Sequence, residues 1–159
     1  MKTRYLFPYR FKKFGWILFL IGIITYLLMM FLPDDTDISL STKVFALIYD
    51  SFSEGNQYFL WITNDVMDEC VFITIIIGGL LTGFSRVKHE DEYTYMLRTE
   101  SLVWSFYVNF GLLLFLTIFT YGMIYLSIIT FNLFSCLLFF IIRFHYLLYK
   151  SKKTLKNEE

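Results

Sequence analysis

SLVWSFYVNFGLLLFLTIFTYGMIYLSIITFNLFSCLLFFII, residues 101 to 142, decides the fold: 42 residues without one Asp, Glu, Lys, Arg or His. As one helix rising ~1.5 Å per residue it would be a rod of about 60 Å, twice the ~30 Å hydrocarbon core of a bilayer. It therefore reads as two crossings joined by a tight turn. Gly122, within Thr120-Tyr121-Gly122-Met123, is the residue type that ends helices and accepts left-handed backbone. The predicted spans are 102–121 and 124–143.

Two more charge-free stretches lie upstream. Phe14 to Pro33, 20 residues, fits one crossing. Cys70 to Ser85 has 16 residues and reaches crossing length only when extended to 66–85, with Asp68 and Glu69 in a first turn where acids suit the helix dipole. The fold class predicted is all-α: an integral membrane four-helix bundle, one membrane domain over 1–159. Its spans are 14–33, 66–85, 102–121 and 124–143, with an outer loop 34–64, an inner segment 86–101 and a basic tail 144–159.

Composition agrees. Apolar residues make up 57% of the chain and charged residues 18%, against about 25% charged in soluble domains. That excludes a disordered chain, a nucleic-acid binder and a water-soluble monomer. The formal charge is zero, but it is segregated. Thirteen of the 14 basic residues lie in the N-terminal segment, in 86–98 or after 142, whereas eight of the 14 acids lie between Asp34 and Glu69 beside Lys43 alone. Basic segments mark the cytoplasmic side, so both termini are placed in the cytoplasm. The N-terminal basic and apolar runs look like a signal peptide, but the apolar run is long and ends Met30-Phe31-Leu32-Pro33-Asp34 without an A-x-A-like site, which predicts an uncleaved anchor. A multi-pass protein of a bacterial inner membrane is expected.

Outside the spans, Val44, Phe45, Ile48 and Phe52 share a helical face behind Ser41 and Thr42, which predicts a short helix on the outer membrane surface. On the inner side one long helix is expected from Glu90 to Tyr121, extending span 3 into the cytosol. Tyr93, Met96, Leu97, Glu100 and Trp104 line one side of it, a face for a partner protein or for the neighbouring chain ends. Arg143, His145 and Tyr146 are placed at the interface, with Lys150 to Lys156 beside anionic headgroups.

Candidate chemistry is sparse. His89-Glu90-Asp91-Glu92 is dense in ligand types, but four consecutive helical residues diverge. Asp65, Asp68 and Glu69 share a face and form an outer acidic cluster suited either to a hard cation or to helix capping. Cys70 and Cys136 are placed too far apart in depth to bridge. Within the spans Ser101, Ser105 and Asn109 recur at i, i+4 and i+8 and make a polar face with Asn132 and Ser135, and an antiparallel turn at Gly122 brings Asn109 level with Ser135 and Cys136. That polar face predicts an interhelical hydrogen bond. Gly79-x-x-x-Gly83 predicts close helix approach within the bundle or between subunits. No catalytic, cofactor or metal residues are assigned. Ser85 and His89 stand at i and i+4 with no third group to orient them.

Three segments resemble a family of small four-span bacterial inner-membrane proteins to which no activity is assigned. They are Leu6-Phe7-Pro8-Tyr9-Arg10-Phe11-Lys12-Lys13-Phe14-Gly15-Trp16, the run from Glu90 through Arg98-Thr99-Glu100-Ser101 to Asn109, and Phe140 to Tyr149. The resemblance implies that these inner segments are the working surface. The expected function is a non-enzymatic accessory or signalling subunit whose partners are the bilayer and a protein or second copy, without nucleic acid or cofactor. The alternatives are a small oligomeric transporter or channel subunit, and a membrane enzyme using Glu100, His89 or His145 as acid or base.

Overall fold

A computed structural model of the chain describes residues 5–31, 40–51, 55–88 and 90–157. In order the elements are α1 (Arg10–Phe31), β1 (Ser41–Ser51), β2 (Gly55–Asp65), α2 (Met67–Phe84), α3 (Glu92–Phe119) and α4 (Met123–Asn157). All four helices are long and apolar enough to cross a membrane, which is consistent with a multi-pass membrane protein.

The helix ends follow from local chemistry. Asp65 precedes α2, and its Oδ1 accepts from the N–H groups of Leu40 (2.8 Å) and Met67 (3.1 Å). Asp91 caps α3 by accepting from Thr94 N–H at 2.8 Å, so α3 begins at Glu92 rather than Glu90. It ends at Phe119, where Thr120 turns extended and donates to the Leu116 carbonyl at 2.9 Å. Gly122, at φ +81°, then supplies the left-handed residue that reverses the chain into α4. The helices at this turn match the spans expected at 102–121 and 124–143 but run further at the far ends. At ~1.5 Å per residue the 35 residues of α4 extend about 52 Å, beyond one bilayer core.

The expectation of an all-α fold is corrected at the segment between α1 and α2. No surface helix forms over 41–51. The chain makes an antiparallel β-hairpin, with Ser41 opposite Asp65, Val44 opposite Ile62, Phe45 opposite Trp61 and Ser51 opposite Gly55. A run that is apolar throughout satisfies the helical period and the strand period equally. The β-branched and aromatic content of Thr42, Val44, Ile48 and Tyr49, matched by Tyr58, Phe59, Trp61, Ile62 and Thr63, favours the pleated form. Phe52, counted on the expected helical face, lies outside the described residues.

Packing centres on α2. One face of α2 packs on α1 and another on α4, and α3 rides on α4. Glycines set the first two approaches. A Cβ on Gly78 would stand 2.8 Å from Phe19 Cα, and one on Gly15 would stand 2.8 Å from Thr82 N. Real Cβ atoms do not approach backbone so closely, so α1 and α2 pack backbone to backbone here. Gly79 and Gly83 face α4 instead, against Leu137 and the Phe140 ring, so the small-residue pair predicted in the sequence serves contact within the bundle. Tyr26, Phe72 and Phe134 knit α1, α2 and α4 at the hairpin end, with Tyr26 and Phe134 edge to face at 5.1 Å. Phe19, Val71, Ile75, Leu97, Phe134, Phe140, Ile141 and Phe144 are buried. Outward faces of α1, α3 and α4 stay apolar, including Ile21, Ile24, Phe110, Leu114, Phe115, Leu126 and Leu133. Apolar surface this continuous suits hydrocarbon and not water.

Candidate functional site

The basic end of the bundle, opposite the hairpin, carries the most organised polar structure. Phe7 lies beside Ser85 as a short parallel bridge. Its N–H donates to the Phe84 carbonyl at 3.0 Å, and Arg86 N–H donates to the Phe7 carbonyl at 2.9 Å. The N-terminal segment is thus strapped to the connection between α2 and α3. Beneath the strap Arg98 is 5% exposed, which is rare for a guanidinium unless paired. It donates to Glu90 Oε1 at 2.7 Å and to the Ser85 carbonyl at 3.3 Å, and it lies 4.9 Å from the centroid of the Phe144 ring. Glu90 Oε2 also accepts from Val87 N–H at 2.9 Å. One carboxylate therefore fixes both the 85–91 connection and the first turns of α3. Ser85 Oγ and Arg98 Nε are buried without a hydrogen-bond partner among the described residues.

Arg98 and Glu90 were not singled out in the sequence as a pair, although the signal is there. Thr94, Arg98, Ser101, Ser105 and Asn109 recur at steps of four, three, four and four, one continuous helical face, and all five are buried. Extending the serine stripe one turn back would have reached the arginine.

The expected partner face divides. Leu97 is buried, while Tyr93 and Met96 remain exposed. Glu100 is exposed but not alone, because Arg143 donates to its Oε1 at 3.2 Å, and the same guanidinium lies 4.5 Å from the Trp104 ring centroid. Two open clefts flank the exposed residues. One, about 630 Å³, is lined by Glu92, Tyr93, Tyr95, Met96, Thr99 and Glu100. The other, about 640 Å³, runs between Tyr93, Leu97 and Glu100 of α3 and Leu147 and Lys150 of α4.

The segments 6–16, 90–109 and 140–149 meet at this end. Besides the Phe7 strap and the contact of Arg98 with Phe144, Trp16 packs edge to face on His145 at 5.0 Å. The His145 Nδ1 lies 2.9 Å from the Ile141 carbonyl, and Nε2 is buried with no partner among the described residues. No hydrogen bond joins His145 to Glu100 among the described residues, and His89, the other acid–base candidate, lies outside them.

In the interior, Asn109 Oδ1 accepts from Ser135 Oγ and from Asn132 Nδ2, the latter at 3.3 Å. This joins α3 to α4 at the level expected from the turn at Gly122. Ser101 and Ser105 donate to carbonyls of their own helix, those of Leu97 and Leu102. Their small size lets α4 approach, and neither hydroxyl is presented to a passing solute.

At the hairpin end Asp65 is committed to the two backbone donors that it caps. Asp68 and Glu69 are exposed on α2. Among the described residues no group of three His, Cys, Asp or Glu side chains converges on a metal-sized site. Cys70 and Cys136 are free thiols. Comparison with protein families, with curated proteins and with solved structures finds no match for the chain.

Proposed function

We propose that the chain is a four-span protein of a bacterial inner membrane, with both termini in the cytoplasm, and that it is a non-enzymatic accessory or signalling subunit that docks a protein partner on its inner end. The charge segregation and the resemblance of the inner segments support the placement. The observation that carries the docking reading is the contrast at residues 85–100. Ser85 to Val87 and the first turns of α3 are held from beneath by the Arg98–Glu90 pair and the Phe7 strap, yet Tyr93 and Met96 stay exposed between two clefts. Aromatic and Met side chains are the adaptable apolar contacts of docking surfaces, and a backbone already fixed beneath them lowers the ordering cost of binding. Glu92 on the rim suits a partner helix whose apolar stripe is flanked by Lys or Arg.

The test keeps the buried anchor intact. A photocrosslinking residue at Met96 should capture one defined partner in native membranes, and the Tyr93→Ser/Met96→Ser variant should lose that partner in detergent pull-down. Recovery of the same partner by the variant would end the docking reading. An active cytoplasmic reporter fused after Glu159, with Cys70 labelled by an impermeant maleimide on intact cells, is expected from the topology. A reporter active only outside would overturn it.

A further inference from the structure

A third cleft opens at the opposite end of the bundle, beside the hairpin, where α1, α2 and α4 diverge. It measures about 340 Å³ and is lined by Tyr26 and Met29 of α1, Asp68 and Phe72 of α2, and Ser127 and Thr130 of α4. That is large enough for a small organic ligand. Its polar groups are mismatched with one another in a specific way. Asp68 offers a carboxylate with no hydrogen bond or ion pair among the described residues. The Tyr26 and Ser127 hydroxyls likewise make no hydrogen bond among the described residues. Thr130 Oγ1 already donates to the Leu126 carbonyl at 3.0 Å, which leaves only its lone pairs to offer. The cleft thus has acceptors in excess and no cation, since neither Lys nor Arg lines it. Asp65 and Asp68 stand exposed at the start of α2, so the field here attracts positive charge. The Tyr26 and Phe72 rings, 5.9 Å apart at 47°, form an aromatic corner of the cleft that suits an apolar group.

From this arrangement we infer that the cleft between α1, α2 and α4 binds a primary ammonium ligand with a short apolar body. A primary ammonium carries three N–H donors and no acceptor, the complement of a carboxylate, a phenol and a pair of hydroxyls, and its body fills the aromatic corner. The amine of a lipid headgroup and a dissolved amine share this chemistry. The site lies at the far end of the molecule from Tyr93 and Met96, so it stands or falls separately from the docking reading.

The full chain, in nanodiscs of phosphatidylglycerol alone, is titrated with benzylammonium and with benzyl alcohol, which has the same shape without the charge. Saturation-transfer NMR reads the binding. Benzylammonium should bind saturably and at least about tenfold tighter than the alcohol, the scale of one hydrogen bond to a charged group. Asp68→Asn, an exposed change that spares the fold, should weaken it about tenfold. Ser127→Leu, which fills the cleft from an exposed position, should abolish it, and Glu69→Gln, outside the cleft, should leave it unchanged. Nanodiscs that also contain phosphatidylethanolamine separate the sources. Competition assigns the site to the lipid amine and an unchanged affinity assigns it to a dissolved amine, and each supports the site. Equal binding of benzyl alcohol, or an affinity untouched by both Asp68→Asn and Ser127→Leu, overturns the inference.

Discussion

Glu90→Ala should destabilise the bundle more than Arg98→Met, although the two side chains form one ion pair. Their N–O separation is 2.7 Å, and their side chains are 6% exposed for Arg98 and 23% for Glu90. Removing Glu90 strands a guanidinium that cannot reach water, leaving it the Ser85 carbonyl and the Phe144 ring. It also leaves the N–H of buried Val87 without its acceptor. Breaking a buried pair from the side that leaves the deeper charge costs about 3–5 kcal/mol. Removing Arg98 is gentler. The Glu90 carboxylate keeps Val87 N–H and can turn towards solvent, while the unbranched Met chain fills the space of the arginine stem. The cost there is about 1.5–3 kcal/mol, that of a lost charged hydrogen bond without a stranded charge. In the Arg98→Met background, Glu90→Ala should then cost only about 1 kcal/mol for the orphaned N–H. Reversible unfolding in mixed micelles on SDS titration, followed by circular dichroism, measures all four proteins of the cycle. An Arg98→Met cost equal to or above that of Glu90→Ala, or strict additivity in the double variant, would refute the reasoning.

The same assay checks three further expectations. Asn109→Ala should cost about 0.6–2 kcal/mol, the range of an interhelical hydrogen bond between apolar helices, because Asn132 loses its partner on α3 and Ser135 keeps only the carbonyl of Asn132. A cost indistinguishable from zero would mean that the contact contributes nothing. Gly78→Ala should destabilise by more than 2 kcal/mol as its methyl meets the α1 backbone. Gly111→Ala has open space and should be neutral or stabilising by up to about 1 kcal/mol, so a reversed order would contradict the packing of α1 on α2. Replacing 42–64 by a short Gly-Ser bridge should change the stability of the helices by less than about 0.5 kcal/mol, since the strands pack chiefly on each other. A large loss would show that the hairpin braces the bundle.

The helices were legible because each is written around a long charge-free run, and four such runs give four helices long and apolar enough to cross a membrane. The turn at Gly122 was legible for a related reason: 42 charge-free residues exceed one crossing, and glycine is the residue that can reverse the chain. The level of Asn109 against Ser135 followed from counting equal steps either side of that turn. Helical period and chain length therefore sufficed for elements that contact their neighbours in sequence.

Other features depended on pairings between distant segments. Whether 41–65 coils or pairs was open to both periods, and the cross-strand register of Phe45 with Trp61 exists only once the strands meet. Glu90, in a run of four ionisable residues, read as a solvated helix start. It is instead drawn to Arg98, whose buried guanidinium pairs with no other carboxylate among the described residues. The strap of Phe7 on Ser85, the assignment of Gly78 to α1 and of Gly79 to α4, and the acceptor-rich cleft of Tyr26, Asp68 and Ser127 join residues from separate helices. The sequence by itself determined how many long apolar helices form and where they reverse, since these depend on transfer free energy and local backbone preference. Only the tertiary structure decided which polar groups find partners and which are left facing a cleft, since that depends on distances that no spacing along one chain encodes.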